Sequence, residues 1–149
     1  MKDSYIRLTL ILAVFATAFS MSNLRADGHG HTKMEDSMDK LNDAFRELRK
    51  AVRRPDPAQK ETYLGYIDVI LKEAKISKEY VPMRYEGMEG EELETAMASF
   101  EKDMDIFIKT IEELYAAIDA EDFDAANEKI NMMRRQKSSG HQAHKPEDE

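Results

Sequence analysis

The sequence predicts an all-α protein, folded as an up-down-up-down antiparallel four-helix bundle. Apolar residues recur at alternating steps of three and four along four long segments, which is the period of helices that pack side by side. Pro55, Pro57, Pro82, Gly87 and Gly90 fall between these segments, where the chain must turn. Because most of the connections are short, consecutive helices are expected to lie antiparallel.

The first two segments each carry an apolar stripe. The first stripe consists of Met34, Met38, Leu41, Phe45, Leu48 and Val52. Pro55 and Pro57 prevent this helix from continuing, and Asp56 is placed to cap the next helix, with Pro57 in its first turn. The second stripe consists of Leu64, Ile67, Leu71 and Ala74, with Tyr63 and Ile70 beside it.

The third segment has the most regular pattern of the four. Its apolar residues are Leu93, Met97, Phe100, Met104, Phe107, Ile111, Leu114 and Ile118. One face of the fourth segment carries Phe123, Ala126, Ile130, Met133, Lys137, His141 and His144. The longest connection, residues 76–92, precedes the third segment and is expected to contain some local structure. The first helix is expected to begin near Thr32 and the fourth to end near His144.

Residues 1–26 have the features of a secretory signal peptide. Lys2 and Arg7 precede an uncharged apolar run at residues 8–19, and small residues follow it. The run is short for a membrane span, which needs about 20 residues, so the mature protein is expected to have none; an uncleaved anchor is the alternative. The remaining chain is expected to divide into a flexible leader, the bundle and a disordered acidic tail, at residues 27–31, 32–145 and 146–149.

Charge and cysteine content exclude several classes of function. The chain has 149 residues and a formal net charge of −8, which argues against nucleic-acid binding and would steer a partner with a basic surface. It has no cysteine, which excludes disulfides, thiolate zinc sites and thioether attachment of a haem. The Glu-x-x-His pairs of di-iron bundles, a phosphate-binding glycine loop and a nucleophile beside a base are also missing from the sequence, so an enzyme is not expected.

Two histidines near the end of the chain, His141 and His144, raise the question of a metal site. In an antiparallel bundle, the start of the first helix and the end of the fourth lie at the same end, so Met38 and His141 are expected to face each other. A thioether and an imidazole are a known pair of axial ligands for haem iron. Met34 and His144, about one turn further out, are the alternative pair. From spacing alone, the methionine is more often core filler and the histidine more often a solvated residue at a helix end.

The stretch MEDSMDKLNDAF at residues 34–45 opens with an acidic pair, followed by a methionine and a Leu-Asn-Asp step. With AQKETYL at 58–64, FEKDMDIFIKTIEEL at 100–114 and the span 119–145, it resembles the soluble periplasmic cytochrome b562 family. The resemblance covers nearly all of the predicted mature chain, with an insertion of a few residues before Pro57. It implies a four-helix bundle that binds a non-covalent haem b and transfers electrons in the periplasm.

The resemblance also implies roles for individual residues. Met38 and His141 fall on the axial ligands of the family. The residues expected to contact the haem are Leu41, Phe100, Met104, Lys137 and Lys145. Of these, the two lysines stand at arginine positions of the family, from which they would pair with the haem propionates. With both axial positions filled, outer-sphere electron transfer to a redox partner protein is expected, and the chain is expected to act as a monomer.

Three alternatives accompany this interpretation. His144 stands where the family usually has an aromatic residue, so a second imidazole is present near the iron. An exported bundle without haem, acting as a binding or structural module, is the rival function. If the signal peptide is cleaved after Ala26, the new start Asp27-Gly28-His29 is able to bind Cu(II) or Ni(II) in a square plane, with His31 as a further donor.

Overall fold

The computed structural model describes residues 33–144, which form four helices. The helices are α1 (Lys33–Ala51), α2 (Lys60–Lys78), α3 (Gly90–Asp119) and α4 (Phe123–His144). Short 3₁₀ turns, Pro57–Gln59 and Met83–Tyr85, lie in the two longer connections. The described residues contain no strand, which confirms the predicted all-α class, and the expected local structure in the connection before α3 is present.

Polar contacts between α3 and α4 show that these helices are antiparallel. Lys129 Nζ lies 2.7 Å from a carboxylate oxygen of Glu113, and His144 Nε2 lies 2.9 Å from one of Asp103. As α4 advances from Lys129 to His144, its partners on α3 therefore move backwards along the chain. The ion pairs between α2 and α3 follow the same order: Lys60 with Asp119, Lys75 with Glu112 and Lys78 with Asp105.

The helices do not all pack equally closely. α1 packs against α2, α2 against α3 and α3 against α4, whereas α1 and α4 approach each other less closely than these three pairs do. With alternating helix directions, the start of α1, the connection between α2 and α3, and the end of α4 all lie at one end of the bundle. The candidate site lies between the first and last helices.

At the corner between α1 and α2, Asp56 caps the 3₁₀ turn that leads into α2, whereas the sequence predicts a cap on the helix itself. A side-chain oxygen of Asp56 accepts a hydrogen bond of 3.0 Å from the backbone N–H of Ala58, with Pro57 at the start of the 3₁₀ turn. The backbone N–H of Asp56 donates in turn to the hydroxyl of Tyr63, also at 3.0 Å. Because Tyr63 is buried in α2, this bond fixes the direction in which the chain enters that helix.

The corner between α3 and α4 is a tight helix-to-helix turn. Glu121 has a positive φ of 58°, and the backbone N–H of Asp122 reaches the carbonyl of Ala117 at 2.9 Å, as in a Schellman ending. The side chain of Asp122 then accepts a hydrogen bond from the N–H of Ala125, which caps the start of α4. This turn sets the register of α4 against α3, and so places the two histidines of α4.

The predicted apolar stripes form one continuous core. Leu48, Ile67, Ile111 and Ile118 have no exposed surface, and each such buried aliphatic side chain contributes roughly 1.5–3 kcal/mol through apolar burial. Met34 and Met38, at the start of α1, are half-buried and pack against this core from its open end.

Some predictions lie outside the described residues. These are the signal peptide at 1–26, the leader at 27–31, the tail at 146–149, the Asp27-Gly28-His29 copper site with His31, and the propionate contact of Lys145. Within residues 33–144, none of the helices combines the length and apolar character that crossing a membrane requires.

Candidate functional site

A groove runs between α1 and α4 and contains one of the two predicted iron ligands. Its volume is about 380 Å³. The residues that line it are Asn42, Phe45, Arg46 and Arg49 from α1, and Arg134, Lys137, Ser138 and His141 from α4. We call this cleft the α1–α4 groove. It brings His141 together with Lys137, one of the predicted propionate contacts.

Met38 does not line the groove itself, but it belongs to the same stripe of α1. At about 100° per residue, Phe45 and Arg49 each lie within about 20° of Met38 around the helix axis. The thioether is half-buried and packs against the core next to this stripe. The two predicted iron ligands therefore belong to the two helices that border one groove, near the same end of the bundle.

The predicted haem-wall residues belong to the core of the bundle. Leu41, Phe100 and Met104 are 2%, 3% and 7% exposed, so other side chains of the bundle already bury them. All three belong to the same apolar cluster, against which Met38 packs. These three side chains do not line the α1–α4 groove, and their contact with a haem stays a prediction.

His141 and His144 have different surroundings, although both were expected on an inward face. His141 is exposed at the edge of the groove, whereas only 9% of His144 is exposed. The ring of His144 packs edge-on against Phe100 and Tyr85, with ring centroids 5.4 Å and 6.1 Å away. His144 thus occupies the core position at the end of α4, and His141 is directed to the side of the helix.

Hydrogen bonds use both ring nitrogens of His144. Its Nδ1 lies 2.5 Å from the hydroxyl of Tyr85, and its Nε2 lies 2.9 Å from a carboxylate oxygen of Asp103. Burial, and to a lesser extent the negative charge of Asp103, raise the pKa of Tyr85, so its hydroxyl keeps the proton and donates to Nδ1. With Nδ1 as the acceptor, Nε2 is the nitrogen that would donate to Asp103. Both ring nitrogens of His144 are therefore engaged in hydrogen bonds within the bundle.

Besides Tyr85, a second residue of the connection between α2 and α3 contacts the last turn of α4. Arg84 donates a hydrogen bond of 3.2 Å from its guanidinium to the carbonyl oxygen of Gln142. Carbonyl groups in the last turn of a helix have no partner within the helix, so this bond satisfies one of them. Arg84 and Tyr85 together hold residues 142–144, immediately after His141, and this contact limits fraying of the turn that carries the candidate ligand.

Gly140 lies in the same last turn, and the structure leaves room for a side chain there. A β-carbon added at this position would meet no heavy atom within 4 Å. Because glycine costs about 1 kcal/mol relative to alanine inside a helix, Gly140→Ala is expected to stabilise the haem-free protein by roughly 0.5–1 kcal/mol. Chemical denaturation of the two proteins checks this, and a loss of stability on substitution would contradict the open surroundings of Gly140.

Sequence reasoning missed several residues of this region. Tyr85 and Asp103 lie 59 and 41 positions before His144, and no periodic pattern connects them. Arg49 lies three helical turns after Met38 on the same stripe, so the periodicity of α1 was a signal that could have identified it. No group of three or more histidines, cysteines or carboxylates able to hold a metal ion occurs within residues 33–144.

The residues present fit a haem. A porphyrin supplies four of the six iron donors, and the two flanking helices offer a soft thioether and an imidazole for the remaining two. The apolar cluster under Met38 suits the face of the ring, and the cations of the groove suit its carboxylates.

A comparison with protein-family models gives one match. The model described as Cytochrome b562 matches residues 33–145, which is about three quarters of the chain and includes all four helices. Comparisons with curated proteins and with solved structures found no match.

Proposed function

Because the chain belongs to the cytochrome b562 family, a family of haem-binding electron carriers, we propose that it binds one non-covalent haem b through Met38 and His141 and transfers electrons in the periplasm. The observation that carries the proposal is the α1–α4 groove, with His141 at its edge and Met38 on the facing helix. The hydrogen bonds of His144 support His141, rather than His144, as the ligand from α4.

Each residue has a distinct role in this proposal. The imidazole of His141 and the thioether of Met38 would hold the haem iron, and with both bound no position would remain open for a substrate. Leu41, Phe100 and Met104 provide an apolar surface that excludes water from one face of the site. The haem iron, when bound, supplies one-electron oxidation and reduction. Methionine ligation raises the reduction potential relative to ligation by two histidines.

The cofactor is held without covalent bonds, because the chain has no cysteine from which to form a thioether. Lys137, and Lys145 beyond the described residues, are the proposed contacts to the propionates. The net charge of −8 is expected to steer a redox partner with a basic surface towards the protein. The sequence features of residues 1–26 support export to the periplasm.

The test is titration of the purified protein with haem, followed by its visible spectrum. A stoichiometric low-spin spectrum, with the sharp bands of a six-coordinate iron, is expected. Replacing Met38 with alanine should shift the spectrum towards high spin, because one axial position then loses its protein ligand. A wild-type protein that remains colourless after titration and gel filtration would refute haem binding.

A haem-free helical module is the second candidate. The observation in its favour is that the predicted haem-wall residues are already buried by the bundle, so the fold does not require a ring to close its core. The same titration separates the candidates, because a module of this kind gains neither colour nor thermal stability from haem.

A further inference from the structure

The α1–α4 groove has an unusual charge for this protein. The whole chain has a formal charge of −8, yet four cationic residues line the groove, and among the described residues no carboxylate lines it. Arg46 is the least available of the four, because it forms ion pairs with Asp43 and Glu47 on its own helix. The cationic character of the groove therefore depends chiefly on Arg49, Arg134 and Lys137.

Two of these cations, Arg49 and Lys137, lie on facing helices and are near enough for their charges to interact. The guanidinium of Arg49 lies 5.7 Å from the ring centroid of Phe45, a cation–π contact between two residues that line the groove. Lys137 is half-buried on the facing helix. Burial, followed by the positive charge of Arg49, lowers the pKa of Lys137 below its ordinary value. The positive charges of Arg49 and Lys137 repel each other, and an anion bound between them would offset this repulsion.

The positions of Arg49 and Lys137 suit the carboxylate edge of the proposed haem. Lys137 precedes His141 by one helical turn, about 6 Å along α4, and lies further into the groove from the open end. A haem held through His141 has two carboxylates on one edge of its ring. Carboxylates directed along the groove would meet Lys137 first and the guanidinium of Arg49 across from it.

We propose that Arg49 of α1 forms, with Lys137 of α4, a carboxylate-binding pair that holds the propionate edge of the haem in the α1–α4 groove. The inference rests on the proposed haem function and adds a binding residue from the helix that carries Met38. It also fixes the orientation of the ring, because only one edge of haem b carries carboxylates.

The experiment compares two porphyrins and two proteins. Wild-type protein and Arg49→Gln are each titrated with haem b and with its dimethyl ester, in which both carboxylates are neutral. The substitution is expected to weaken the binding of haem b by about tenfold, as for the loss of one charge-assisted hydrogen bond, and that of the ester by less than about twofold. The difference between the two ligands measures the interaction between Arg49 and the carboxylates.

Arg135→Gln is the matched control. Arg135 is exposed on α4 and next to Arg134, but it does not line the groove, and its replacement removes the same charge. It should leave the affinities for both porphyrins unchanged. A tenfold loss with this control would show that net charge alone sets the affinity, and would overturn the proposal.

A further readout needs no haem. In the haem-free protein, Arg49→Gln should raise the pKa of Lys137, measured by NMR of the selectively methylated lysine, because the second cause of its lowering is removed. Haem b added to the wild-type protein should raise the same pKa. Equal losses for both porphyrins, or no change in the pKa of Lys137, would refute the carboxylate-binding pair while haem binding stands. A wild-type protein that binds neither porphyrin would refute both proposals.

Discussion

If His141 is the proposed ligand, replacing it with alanine is expected to abolish the low-spin spectrum of the haem-loaded protein and to weaken haem binding by more than about tenfold, because the iron would lose its imidazole. The same substitution should change the free energy of unfolding of the haem-free protein by no more than about 0.5 kcal/mol, since His141 is exposed. Visible spectroscopy measures the first effect and urea denaturation of the haem-free protein the second.

Two further measurements make this prediction specific. Imidazole added to the His141→Ala protein should restore a low-spin spectrum by taking the empty axial position. His144→Phe keeps the packing against Phe100 but removes the second imidazole, and should retain the low-spin spectrum. If His144→Phe loses that spectrum while His141→Ala keeps it, the ligand assignment is wrong, and His144 with Met34 becomes the pair to test.

Much of the fold was predictable because its determinants are local. A helix that buries one face must repeat apolar residues at steps of three and four, and Asp56 with Pro57 marks the start of a helix without reference to the rest of the chain. The turn after α3 was expected only as a short connection. Glycine usually occupies the position of positive φ in such a turn, and because Glu121 occupies it here, the sequence did not indicate this conformation.

The sequence predicted which helices carry the candidate ligands, but not the directions in which His141 and His144 leave α4. Steps of three and four placed His141 and His144 on one inward face, whereas a helix of 3.6 residues per turn separates them. Counted from the buried Met133, His144 lies about 20° away around α4 and His141 about 80° away. His144 therefore enters the core, and His141 lies to the side.

The contacts of His144 depend on a loop that no periodic pattern describes. Tyr85 belongs to the 3₁₀ turn before α3, and its distance from α4 depends on how that connection folds over the end of the bundle. Similarly, the neighbouring charges of Arg49 and Lys137 come from different helices and become visible only when the register between α1 and α4 is known. Pairings between distant segments are set by tertiary packing, so the sequence alone did not identify them.

His144→Ala is expected to have the opposite effect to His141→Ala. The substitution removes a ring that packs on Phe100, and leaves the buried hydroxyl of Tyr85 without its partner. A cavity together with an unsatisfied buried polar group costs roughly 2–4 kcal/mol, so the free energy of unfolding of the haem-free protein should fall by about that amount. Urea denaturation checks the magnitude, with His141→Ala as the matched control from the same turn.

Hydrogen exchange shows whether this loss is local. The hydrogen bonds from Arg84 and Tyr85 hold residues 142–144, so the amides in the last turn of α4 should exchange faster in His144→Ala than in the wild type, relative to those around Met133. Tyr85→Phe should show the same pattern with a smaller amplitude, because it removes one hydrogen bond and keeps both rings. An unchanged exchange rate in this turn, combined with a full loss of stability, would mean that His144 stabilises the core without holding the turn of His141, and the link between the buried histidine and the iron ligand would fail.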